Sequence, residues 1–77
     1  MSVSGVTSYD TTYSIRVDEV STDLTYVGEA QIGTDDNSPS WKIKRLLTTG
    51  TVLAITWADG NQQFDNIWAN RAALSYT

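Results

Sequence analysis

The sequence predicts a mostly β domain: a small antiparallel β-sandwich or barrel of about five strands, with a short helical turn near the C-terminus. Three observations carry that class. Residues alternate with a period of two, apolar with polar at Tyr13, Ile15 and Val17, and large with small at Leu53, Ile55 and Trp57. Clusters of Gly, Asp, Asn and Ser punctuate the runs between. Thr is abundant, and it suits a pleated surface.

Residues 1–10 show no sustained period and read as a flexible or partner-docking arm before a single domain over 11–77. Within that domain, 11–20 and 24–31 form a hairpin around Ser21, Thr22 and Asp23, short side chains that bond nearby backbone. Residues 33–40 hold the one proline and many turn formers, hence a surface loop. A third strand begins at Trp41; Arg45, Leu46 and Leu47 lose its phase, which suggests a bulge or the strand's end. Thr48, Thr49 and Gly50 have the length of a hairpin loop, leading to a fourth strand over 51–57. Because Val52, Ala54 and Thr56 are small and uncharged, that strand is expected to be central, or covered by a partner. Asp59 and Gly60 close it. The tail reads as one or two helical turns around 63–70 and a short strand at 72–76. The expected core is Trp41, Ile43, Leu53, Ile55 and Trp57, with Tyr13, Ile15, Leu24 and Tyr26.

Composition excludes several chemistries. The 77 residues carry 5 Lys+Arg against 9 Asp+Glu, a formal charge of -4, with neither His nor Cys. A zinc finger, a haem site, a thiol nucleophile, a Ser-His-Asp triad and a disulfide scaffold are therefore ruled out. Five dispersed cations in an acidic chain argue against nucleic-acid binding, whose affinity comes from neutralising phosphates. A chain this short buries only about 60% of its unfolded surface, so it calls for an external staple: oligomerisation or docking on a larger assembly. The N-terminus lacks a signal-peptide pattern, and no run approaches the ~18 apolar residues of a membrane span, so a soluble protein made in a cytosol is expected, with no membrane partner.

No constellation indicates an enzyme. Asp18, Glu19, Asp35, Asp36 and Asp59 do not suggest two carboxyls held across a cleft. The Asp35 and Asp59 loops miss the calcium-loop pattern, so no metal and no cofactor are expected. The aromatic residues could stack on sugar rings, but Trp41 and Trp57 fall in phase with Ile43 and Ile55 and read as core. Candidate partner-binding residues are Val3, Val6 and Tyr9 on the arm, Lys42 and Lys44, Trp68 and Arg71. Lys42, Lys44 and Arg45 form a basic cluster on the outward face of the third strand, facing solvent or an acidic partner. Trp68 is either a core plug or a contact with a neighbouring subunit. Arg71 either pairs with Asp59 or Asp65, pinning the tail to the turn, or covers Trp68 with its stem.

Several segments together resemble a family of short virion structural proteins of tailed bacteriophages. They are Tyr26-Val27-Gly28-Glu29-Ala30, Gly33-Thr34, Trp41-Lys42-Ile43-Lys44-Arg45, Thr56-Trp57-Ala58-Asp59-Gly60-Asn61, and Phe64-Asp65-Asn66-Ile67-Trp68-Ala69-Asn70-Arg71-Ala72 with Leu74 and Tyr76. The resemblance implies a non-enzymatic virion protein. On that footing the chain is expected to be a capsid decoration or cement protein on the major capsid protein, a homo-oligomer in the particle, made in the host bacterial cytoplasm. Alternatives are a tail, baseplate or fibre-associated structural protein, and a carbohydrate-binding module on the virion surface.

Overall fold

A computed structural model describes residues 13–77. The expected arm, with Val3, Val6 and Tyr9, lies outside the described residues. Five antiparallel strands run in chain order: β1 (Tyr13–Ser21), β2 (Leu24–Gln31), β3 (Pro39–Thr49), β4 (Val52–Trp57) and β5 (Asn66–Ile67). A short 3-10 helix, Trp68–Ala73, follows β5. The mostly β class, the strand number and the C-terminal helical turn are as expected. The strands form one open sheet in the order β1-β2-β3-β4, with β5 also pairing β3, instead of closing into a barrel or stacking as a second layer. Among the described residues β1 and β4 are therefore edges, and β4 is not the central strand its sequence suggested.

Two local features set which side chains face which side. In the β1–β2 hairpin, Glu19 pairs Thr25 while Ser21 pairs Leu24, which leaves Val20 as an extra residue in a β-bulge. In the β3–β4 hairpin, Thr49 pairs Val52 across a two-residue turn at Gly50 and Thr51, with Gly50 at φ 63°. Glycine at the first central position is what a type II′ turn requires. β3 keeps its register with β4 from Lys44 to Thr49, so the expected loss of phase at Arg45, Leu46 and Leu47 does not occur.

One face of the sheet is covered by Ala58, Trp68 of the 3-10 helix, Leu74 and Tyr76. Its core is Tyr26, Ala30, Trp41, Ile43, Ala58 and Trp68, with Leu24, Leu74 and Tyr76 packed against it. Trp41 is fully buried and its indole N–H donates to the Asp35 carbonyl at 2.9 Å, which ties the 33–38 loop to the core. Gly28 makes the close approach of Trp68 possible: a Cβ there would lie 2.6 Å from Trp68 Cε3 and 3.3 Å from Trp41 Cε3. The tail is not the helix around 63–70 plus strand expected. It is β5, the 3-10 helix, and a single bridge between Ala58 and Tyr76.

Five residues expected in the core lie on the other face. Tyr13, Ile15, Leu53 and Ile55 are all exposed, and Trp57 is half-buried. The extra residue at Val20 turns the apolar set of β1 outward, and the two-residue turn does the same for β4, because a one-residue change of register exchanges the faces of a strand.

Candidate functional site

The outward face of the sheet is the feature that the fold leaves unfinished. Register places Val17, Val27, Lys44 and Trp57 in one row across all four long strands, and Glu19, Thr25, Leu46 and Ile55 in the next. Ile15, Glu29 and Lys42 form a third row. Ile15, Val17 and Ile55 each keep more than half of their surface accessible. The face is therefore apolar at both edges, with a charged centre: Lys42 Nζ lies 3.5 Å from Glu29 Oε1.

Lys42 and Lys44 stand on this face as expected. Lys42 Nζ sits 5.0 Å above the Phe64 ring and 5.8 Å from that of Trp57, and Lys44 Nζ sits 5.6 Å from Trp57. Both ammonium groups are thus held over aromatic faces, where the ring quadrupole attracts a cation. Arg45 does not join them. Alternation turns it to the covered face, where its guanidinium lies 5.1 Å from the Tyr76 ring centroid.

At the end of the face near β5, Tyr13 and Phe64 stack with centroids 5.6 Å apart and planes 8° from parallel. With Gln31, Thr34 and Ser40 they line a shallow groove of about 330 Å³. Two accessible aromatic rings beside hydroxyl and amide groups can stack on an apolar ring face and bond its substituents. Phe64 is one of the aromatic residues that the sequence offers for stacking on sugar rings, although it is not among the candidate partner-binding residues.

Trp68 and Arg71 are engaged within the chain. Trp68 is 5% exposed and packs on Trp41 at 6.0 Å between ring centroids, so of its two expected roles it takes that of core plug. Arg71 Nε donates to Asp18 Oδ2 at 2.9 Å and Nη1 donates to the Trp68 carbonyl at 3.1 Å, with the guanidinium 4.5 Å from the Trp68 ring centroid. Its partner is thus Asp18 on β1, not Asp59 or Asp65. The turn at Asp59 is held instead by backbone: Asp59 N–H donates to the Ser75 carbonyl at 2.8 Å. Asp59 and Gly60 both have positive φ, 59° and 72°.

Among the described residues no three acidic side chains converge as a metal site would need. Among the described residues no helix is long and apolar enough to cross a membrane. Comparison with protein-family models, curated proteins and solved structures finds no match.

Proposed function

We propose that the chain is a non-enzymatic structural protein of a tailed-phage virion, a decoration or cement protein that seats the open face of its sheet on the major capsid protein. The observation that carries the reading is the outward apolar set, Ile15, Val17, Val27, Leu46 and Ile55, on a sheet whose other face carries the core. A monomer that faced only water would gain nothing from it, and exposed apolar patches of this kind mark contact surfaces. The sequence resemblance supplies the setting. Mass spectrometry of purified particles from the encoding phage tests it: the chain is expected in the particle, in many copies, and Leu46→Glu is expected to abolish incorporation. Absence from particles overturns the virion reading, and recovery with isolated tails instead of heads moves it to the tail, baseplate or fibre.

A second reading, a carbohydrate-binding module on the virion surface, is favoured by the Tyr13 and Phe64 rings. Stacking on the C–H face of a hexose, with Gln31, Thr34 and Ser40 bonding its hydroxyls, would use the groove as it stands. Titration with host surface polysaccharide, followed by amide chemical shifts, is expected to perturb these five residues. Unchanged shifts at Gln31, Thr34 and Ser40 reject it.

A further inference from the structure

From the free edge of β4 we infer that the chain pairs with a second copy of itself, strand to strand, across residues 52–56. The direction of the main chain along this edge follows from two bonds. Thr48 N–H donates to the Asp23 carbonyl on the β2 side, and Ala58 N–H donates to the Ile43 carbonyl across the β3–β4 ladder. An antiparallel ladder alternates, so Val52, Ala54 and Thr56 bond β3, and the N–H and C=O groups of Leu53 and Ile55 point away from the sheet. No described residue pairs with them.

The open stretch has two ends. Thr77 N–H donates to the Trp57 carbonyl at 3.2 Å and closes one; the turn at Gly50 and Thr51 closes the other. Its midpoint is Ala54. A two-fold axis at Ala54 sets Leu53 opposite the partner's Ile55 and Ile55 opposite the partner's Leu53, which satisfies all four outward N–H groups with four outward carbonyls. The stretch Val52–Trp57 carries no charge, no proline and no bulge, the usual devices that prevent such pairing. The opposite edge differs. β1 has Arg16, Asp18 and Glu19 and the bulge at Val20. Self-complementarity is what favours a copy over a foreign strand, and the joined sheet, eight long strands wide, leaves the outward face free, doubling its width. The inference stands apart from any virion role.

Light scattering on the full chain tests it, joined to amide hydrogen exchange. Expected are a particle of twice the chain's mass and protection of the Leu53 and Ile55 amides that is lost on dilution. Leu53→Pro removes an outward N–H and no intrachain bond, so it is expected to give a monomer with the wild-type circular dichroism; Val17→Lys, on the far side of the same face, is expected to remain dimeric. A monomer at all concentrations overturns the inference. So does a dimer that survives Leu53→Pro, or one dissolved by Val17→Lys, which would indicate face-to-face packing. Protected Leu53 and Ile55 amides at monomer mass would assign the edge to another part of the chain and also overturn it. Should Leu53→Pro fail to fold, the exchange measurement on the unmodified chain decides alone.

Discussion

Arg71 Nε and Asp18 Oδ2 lie 2.9 Å apart although 53 residues separate them in sequence. The pair joins the 3-10 helix to the edge strand β1 across the covered face. Both side chains are about one-third exposed, so solvent screens the charge attraction, and the geometry of the guanidinium matters more than its charge. Arg71→Ala removes two hydrogen bonds and the cover over Trp68, for an expected loss of about 1–2 kcal/mol. Arg71→Lys is expected to lose nearly as much, since an ammonium cannot supply both donors at the same angle. Thermal unfolding checks both; a wild-type melting temperature for Arg71→Ala would show that the pair contributes nothing.

Gly28→Ala is expected to be among the most damaging single-methyl additions in the chain. Its Cβ would meet Trp68 Cε3 at 2.6 Å and Cζ3 at 2.8 Å, with Trp41 Cε3 behind at 3.3 Å. Two large indoles in contact cannot both retreat, so overpacking of about 1–3 kcal/mol follows. For a domain of this size each kcal/mol corresponds to roughly 4–8 °C in melting temperature. Differential scanning calorimetry of the variant against wild type measures it, and an unchanged transition would mean that Trp68 is loosely seated.

Trp41 and Trp57 read alike in the sequence, each in phase with an isoleucine on a strand, yet they are expected to behave differently. Trp41→Ala empties a fully buried site and is expected to cost about 3–5 kcal/mol, enough to unfold a domain this small. Trp57→Ala removes a half-buried side chain from the open face and is expected to cost less than about 2 kcal/mol. Urea midpoints for the two variants decide the ranking.

That contrast shows what was legible and what was not. Strands β1, β2 and β4, the Asp59-Gly60 turn and the core roles of Tyr26, Trp41 and Ile43 follow from alternation and turn chemistry, which are local. The face that each strand presents is not local. A three-residue loop at 48–50 would have set Leu53, Ile55 and Trp57 beside Ile43; the two-residue turn at Gly50 and Thr51 reverses them. In β1 the broken alternation at Glu19 and Val20 was visible, but its consequence, apolar side chains sent outward and Asp18 sent inward to Arg71, depends on pairing with β2. The open face escaped sequence reading for that reason.

Tyr76 supplies the pH dependence. Its phenol donates to the Arg71 carbonyl at 2.8 Å and its ring packs 5.6 Å from Tyr26. Burial, reinforced by Tyr26, pushes its pKa from 10.0 up to about 12 in the folded chain. The unfolded chain then loses this proton first. Below pH 10 the phenol is neutral in both states and the folded chain keeps the full benefit; as pH rises from 10 towards 12 the unfolded state binds fewer protons and stability falls. Ionisation would also leave the Arg71 carbonyl without a donor, and an anion would sit against the core. Tyr76→Phe is expected to cost about 1 kcal/mol at neutral pH through the lost hydrogen bond, and to flatten the decline in melting temperature above pH 10. If the variant's melting temperature falls as steeply as wild type over that range, the alkaline sensitivity resides in other groups.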